Sequence, residues 1–165
     1  MLSRIRNLLI NKEKGFTLIE ILTAIFFIAV IITGVLVLYQ QIIVWNELSL
    51  YKLTALYLAQ EGIEIVRNIR DTNWIEGESW DKGLAVGSWG ADYQSHSLVA
   101  DYATSSLLFD GNFYNYSSGN PSIFKREIKI ERPTTDKIKV TVIVSWKKRG
   151  DHQVKVEEFL YNWVQ

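Results

Sequence analysis

The sequence predicts an α+β protein in which one long N-terminal α-helix packs on a small antiparallel β-sheet. Three observations lead to this prediction. No charged residue occurs between Glu20 and Glu47. An apolar stripe at helical spacing follows this run and continues to about residue 70. Over residues 96–165 the apolar period changes towards two, which is typical of strands.

The composition fits one domain preceded by an apolar segment. The 165 residues carry 18 basic and 18 acidic side chains, so the zero net charge gives no reason to expect a nucleic-acid partner. Residues 1–15 hold four basic side chains and one acidic, a net charge of +3, and the remainder holds 14 basic and 17 acidic. Cysteine is absent, which excludes disulfides and thiolate metal sites.

The uncharged run is long enough to cross a bilayer as one helix, which takes about 20 mostly apolar residues. Its basic flank predicts that residues 1–15 stay cytoplasmic. A secretory signal fits poorly, because bulky and polar residues at 39–41 replace a small-residue cleavage site. A plain signal anchor fits the length but leaves Glu20 unexplained, unless this carboxylate is hydrated at the membrane interface.

The segment KGFTLIE, residues 14–20, resembles the leader junction of type IV pilins and pseudopilins. The resemblance extends over roughly residues 8–45. It implies that a prepilin peptidase removes residues 1–15 by cutting between Gly15 and Phe16, and that the same enzyme methylates the new Phe16 amine. It also implies that Glu20 pairs with the amine of a neighbouring subunit during assembly.

The family resemblance also implies a fold, a location and partners. The fold would be type IV pilin-like, with residues 16–45 as the transmembrane and assembly half of the helix and residues 46–165 as an extracytoplasmic globular domain. The chain would cross the bacterial cytoplasmic (inner) membrane once and then join a pilus or pseudopilus at the cell surface. The implied partners are the prepilin peptidase, other subunits, the membrane assembly platform and membrane lipid.

The apolar segment departs from the major pilins in one respect. Many of them carry a proline near the position of Val37, whereas no proline occurs here before residue 121. Gly34 is the weakest helix former in the segment, costing up to about 1 kcal/mol relative to Ala. These features favour a minor pilin or pseudopilin over the main filament subunit. They do not distinguish a pilus from a type II secretion or DNA-uptake system.

The helical pattern continues beyond the membrane segment. Its apolar stripe consists of Leu48, Tyr51, Ala55, Leu58, Gly62, Ile65 and Ile69. One helix from about Phe16 to about Asp71 is therefore predicted, roughly 80 Å long at 1.5 Å per residue. Gly62 lies on the stripe, which predicts close packing of the helix on the sheet. Glu64 and Arg67 are spaced to form a surface ion pair.

Residues 73–95 are predicted to form a variable loop rich in tryptophan and glycine. Trp80 and Trp89 are candidates for surface binding, because exposed aromatic rings stack on sugars. The chain would then be a pilus-displayed or membrane-anchored binding module, an adhesin that uses residues 74–93. The alternative is that these rings fill gaps in a small core.

The remaining residues, 96–165, are predicted to form an antiparallel sheet. Leu98 and Val99 begin a short strand, and residues 107–116 form a hairpin that turns at 110–112. Alternation predicts further strands over 124–131, 138–146 and from 154 onwards. The alternation slips at residues 157–158, which predicts a β-bulge there.

The sequence offers no residues for catalysis. No nucleophile–base pair, phosphate loop or carboxylate dyad stands out. His96 and His152 lie far apart without metal-ligand spacing, so neither a metal nor a cofactor is expected. The chain is therefore not predicted to be an enzyme, and the family resemblance implies that it is a structural subunit.

Overall fold

The computed structural model describes residues 15–163, and the chain divides into two units between Glu47 and Leu48. Apart from Gly15, the predicted leader of residues 1–15 lies outside the described part. Helix α1 covers Leu18–Ile75, a length of 58 residues, and therefore contributes to both units.

The described part of the first unit consists of Gly15 to Glu47. Every residue from Gly15 to Ile43 is exposed. By length and composition α1 is able to cross a membrane near the N-terminus. An exposed apolar surface of this extent needs lipid or protein around it, because soluble proteins rarely leave such a surface in water.

In the second unit, α1 buries one face against the sheet. The buried residues are Ala55, Leu58, Ala59, Gly62, Ile63, Ile65, Val66, Ile69, Arg70 and Asn73. The predicted apolar stripe is confirmed from Ala55 to Ile69, whereas its first two residues, Leu48 and Tyr51, are half-buried. The predicted surface pair is also confirmed, because Arg67 Nη1 lies 2.6 Å from Glu64 Oε1. The helix ends at Ile75, four residues later than predicted. Asn73, inside its last turn, is buried and donates hydrogen bonds to the loop carbonyls of Trp80 and Lys82, at 3.2 and 2.8 Å.

The sheet of the second unit has six strands within the described residues. They are β1 (Gly87–Trp89), β2 (Ser106–Phe109), β3 (Tyr114–Asn115), β4 (Asn120–Thr134), β5 (Lys137–Lys147) and β6 (Asp151–Tyr161). All pairings are antiparallel in the order β3-β2-β4-β5-β6, and β1 also pairs with β4. The α+β prediction of a long helix packed on a small antiparallel sheet is confirmed at this level.

The core of this unit lies between α1 and one face of the sheet. On β5 the inward residues are Ile138, Val140, Val142, Val144 and Trp146, which are the residues that the alternation selects. The loop after α1 adds Trp80 and Leu84 to the same cluster. The predicted hairpin over 107–116 is also present, as β2 paired with β3.

The first strand of the sheet lies inside the predicted loop of residues 73–95. In β1, Gly87 pairs with Ile130 and Trp89 with Ile128. Three residues are too few to show a period of two, so sequence patterning could not detect this strand. The strand predicted at Leu98 and Val99 is wrong, because Val99 makes only an isolated bridge to Gly90 before a short 3₁₀ helix, Ala100–Thr104.

The bulge predicted at residues 157–158 is also wrong. The register of β5 with β6 is continuous from Lys137↔Tyr161 to Lys147↔Asp151. The apolar alternation is interrupted without any change in register, because Glu158 occupies an inward position where an apolar residue is expected. Its carboxylate accepts hydrogen bonds from Arg67 Nη2 at 2.6 and 2.8 Å, so α1 supplies the partner that allows an inward charge.

Candidate functional site

The predicted cleavage junction lies directly before the first turn of α1. Gly15, Phe16 and Thr17 have no regular secondary structure, and all three are exposed. No heavy atom lies within 4 Å of the position that a Cβ on Gly15 would occupy. Within the described residues, the peptide bond between Gly15 and Phe16 is therefore accessible to a peptidase.

Thr17 caps the N-terminus of α1. Its hydroxyl oxygen accepts a hydrogen bond from the Glu20 amide at 3.3 Å, and its carbonyl accepts from Ile21 at 3.2 Å. A threonine followed three residues later by a glutamate is the sequence signature of a capping box. This signature could have identified Thr17, which the sequence analysis missed. The helix thus begins within two residues of the proposed new N-terminus.

Glu20 lies in the first turn of α1, where the helix dipole favours a carboxylate. No lysine, arginine or histidine occurs from Gly15 to Tyr51, so the described residues that flank Glu20 along the chain supply no counter-ion. In an apolar environment this carboxylate needs a positive partner from outside this segment. The assembly role predicted for Glu20 stays a prediction.

The two candidate tryptophans take part in packing. Trp80 is only 7% exposed and belongs to the core, with the guanidinium of Arg132 5.9 Å from the centre of its ring. Trp89 is half-buried, and its indole nitrogen donates to the Ala85 carbonyl at 2.9 Å. The structure thus favours the core-filling alternative, because the ring of Trp80 leaves little surface for a ligand.

A buried arginine ties three parts of the second unit together. Arg126 on β4 is fully buried, and its Nη1 donates to the carbonyl of Leu58 on α1 at 3.1 Å. The same nitrogen lies 3.1 Å from Glu61 Oε2, and Nη2 donates to the carbonyl of Ala91. We call these contacts of Arg126 the arginine clasp. Because an arginine in an alternating strand usually faces solvent, the sequence pattern gives no sign that Arg126 is buried.

A tyrosine belongs to the surroundings of the clasp. The Tyr116 hydroxyl donates to the backbone carbonyl of Arg126 at 3.3 Å. Burial raises the pKa of Tyr116, so this phenol stays protonated and remains a donor at neutral pH. The clasp and its neighbour are thus a polar network inside the core, with a structural role.

The described residues hold no evident metal centre. Within residues 15–163 no group of three or more histidine, aspartate or glutamate side chains is placed to hold an ion. One nitrogen of the His152 ring lies 3.1 Å from the Lys148 carbonyl, and the ring stacks on Trp146 with their centres 5.3 Å apart. Packing within the β5–β6 hairpin therefore accounts for the position of His152.

Comparison of the chain with family models, with curated proteins and with solved structures finds no match. Its function is therefore inferred from its own residues and their geometry.

Proposed function

We propose that this chain is a structural subunit, a minor pilin or pseudopilin, of a type IV pilus or of a type II secretion or DNA-uptake pseudopilus. The observation that carries the proposal is the register of three features near the N-terminus. A Gly15–Phe16 junction is followed by Glu20 in the first turn of α1, and then by an uncharged helical run up to Glu47.

The architecture of the chain is compatible with this role. An exposed apolar helix able to cross a membrane is followed by a helix face that packs on an antiparallel sheet. A pilin-like subunit needs both parts, the first for membrane storage and filament packing and the second for a folded domain outside. The chain would be held in the cytoplasmic membrane before it enters the filament.

The local geometry at the junction suits processing by a prepilin peptidase. Glycine before the cut lets the backbone enter a cleft without a side chain in the way. Cleavage after Gly15 would leave Thr17 in place, so the capped start of α1 would survive it. The new amine of Phe16 would stay charged after methylation and lie four residues before Glu20.

The chain's own Phe16 amine lies one helical turn before Glu20 and is poorly placed to pair with it. No lysine, arginine or histidine occurs from residue 15 to residue 51 either, so Glu20 would need a partner from a second subunit. An unpaired carboxylate in an apolar bundle costs several kcal/mol, and a paired one is tolerated. The methylated amine of a neighbouring Phe16 would supply the missing charge. This pairing would fix the axial register of the subunits more than it would stabilise the filament.

The first test is an intact-mass and N-terminal analysis of the protein extracted from its native membranes. The expected chain begins at a methylated Phe16, and the Gly15→Ala variant accumulates as the longer precursor. A chain that still begins at Met1, in cells with an active prepilin peptidase, would contradict the proposal. The protein would then be a plain signal-anchored protein.

Replacement of Glu20 tests the assembly step separately. In the Glu20→Leu variant we expect normal cleavage but about tenfold less subunit in sheared filaments, because the amine of the neighbour loses its partner. Immunoblots of the sheared and membrane fractions measure both quantities. Glu47→Gln removes a carboxylate beyond the uncharged run and is the matched control. Wild-type incorporation of Glu20→Leu would show that the pairing role is wrong.

A further inference from the structure

We propose that a groove beside α1 in the second unit binds a neutral oligosaccharide. The groove consists of two adjoining cavities that share Glu61 and Tyr93, and we call it the tyrosine groove. It lies apart from Trp80 and Trp89, and it is independent of the cleavage junction and of Glu20.

The first cavity has a volume of about 500 Å³, within the range of roughly 300–1,000 Å³ typical of small-molecule sites. Half of its lining residues are aromatic. They are Thr54, Tyr57, Leu58, Glu61, Tyr93, Asn112, Phe113 and Tyr114. Aromatic faces combined with a few polar groups at their edges are suited to an amphipathic ligand such as a sugar ring.

Three of the four aromatic rings of this cavity are open to solvent, whereas Tyr114 is half-buried against the core. Tyr57 is 62% exposed and Phe113 is 56% exposed, so core packing does not account for them. The rings of Tyr93 and Phe113 lie 4.9 Å apart at an angle of 33° and cover part of each other. Tyr93 stays 44% exposed, so an apolar ring face remains open in the groove. The C–H face of a sugar ring buries apolar surface on such a face, and tyrosine hydroxyls bond its hydroxyl groups.

The charge of the cavity selects a neutral ligand. Glu61 is its only charged lining residue, and the fully buried Arg126 balances that charge at 3.1 Å. The lining includes neither lysine nor arginine, so an anionic group would find no cation. The Glu61 carboxylate and the exposed amide of Asn112 remain suitable partners for hydroxyl groups.

The second cavity extends the groove along α1. Its volume is about 570 Å³, and it continues from Glu61 to Asn73 and beyond. Its lysine and glutamate lining residues are Glu61, Glu64, Glu76 and Lys82. Glu64 lies 2.6 Å from Arg67 Nη1, and Lys82 lies 2.9 Å from Glu78. From Thr54 to Asn73 the helix axis measures roughly 30 Å at 1.5 Å per residue. This length suits several linked sugar rings better than one.

The test uses the full chain in lipid nanodiscs, titrated with cellotetraose, chitotetraose and maltotetraose and followed by saturation-transfer NMR. We expect saturable binding of at least one of these neutral tetrasaccharides. Tyr57→Ala and Phe113→Ala should each weaken it at least tenfold. Both rings are more than half exposed, so the variants should keep the circular dichroism spectrum of the parent chain.

The matched control is Tyr161→Ala, which removes a 47% exposed ring on β6 outside the groove and should leave binding unchanged. The proposal is overturned if none of the three sugars binds, or if binding survives both groove substitutions. Binding of only 3′-sialyllactose or only tetralysine, tested in parallel, would also overturn it. Filament incorporation of the same variants, measured separately, distinguishes failure of the groove from failure of the pilin assignment.

Discussion

Gly62 sets how closely α1 approaches the sheet, and it is the residue for which sequence reasoning worked best. Its place on the apolar stripe predicts close packing. The position of a Cβ on Gly62 would lie 2.9 Å from Val142 Cγ1 and 3.3 Å from Arg126 Cδ. The helix therefore contacts β5 at a point where only glycine fits.

Gly62→Ala should destabilise the second unit by about 1–3 kcal/mol, because the stiff Val142 side chain has to move. This cost exceeds the gain in helix propensity, which is at most about 1 kcal/mol. The midpoint of thermal unfolding, followed by circular dichroism in detergent, measures the change. Gly34→Ala, where a Cβ would meet no heavy atom within 4 Å, is the control and should cause no loss. Equal midpoints for Gly62→Ala and the parent chain would contradict close packing.

Arg126 is the opposite case, since the sequence gives little sign of its role. Arg126→Met should destabilise the second unit by about 2–4 kcal/mol, because two buried carbonyls lose their donor. Chemical denaturation measures this loss. Arg132→Met is the matched control and should cost under about 1 kcal/mol, because Arg132 is part-exposed where it pairs with Asp81 at 2.6 Å. Similar losses for the two variants would show that the arginine clasp contributes no more to stability than a part-exposed ion pair.

At the scale of elements, prediction succeeded where a pattern runs through many residues. The long strands β4 and β5 and the second half of α1 repeat their period often enough to be recognised. By contrast, β1 has three residues, and no period is visible in it. The false bulge arose because Glu158 interrupts the apolar alternation, and the sequence does not reveal that Arg67 of α1 lies opposite. The groove escaped prediction for the same reason, since its rings come from three separate segments.

The outward face of β6 carries a carboxylate, Glu157, between two lysines. This arrangement predicts how the stability of the fold depends on pH. Hydrogen bonds from Lys155 at 2.6 Å and Lys139 at 2.9 Å lower the pKa of Glu157 from 4.5 to about 2. Because the folded pKa is the lower one, this contribution to stability is present above about pH 4.5 and is lost as the pH falls towards 2.

NMR titration of the Glu157 carboxyl carbon should therefore give a midpoint well below that of an ordinary glutamate. Lys155→Gln should move the midpoint upwards, since it removes the nearer ammonium. Lys129→Gln, on β4, is the control and should leave it unchanged. A Glu157 midpoint near 4.5 in the parent chain would mean that these ion pairs do not persist in solution.

At the scale of the whole molecule, the second unit holds all of its buried core within residues 48–163. A fragment of residues 48–165 should therefore fold without detergent, because the exposed apolar run before it is missing. We expect a dispersed amide NMR spectrum and cooperative unfolding, whereas the full chain should need detergent or lipid to stay dispersed. Aggregation of the fragment, or an amide NMR spectrum with little dispersion, would show that its fold depends on the first unit.

The contacts around Gly62 also have a mechanical consequence. A shift of α1 along its axis by one turn, about 5.4 Å, would bring the side chain of Leu58 or Val66 to the place that only glycine fits. The same shift would separate Arg126 from the Leu58 carbonyl and Arg67 from Glu158. A force along the helix axis is therefore opposed by a steric clash at the position of Gly62. It also has to break the hydrogen bonds of Arg126 and Arg67 at the same time, so the helix cannot slide gradually past the sheet.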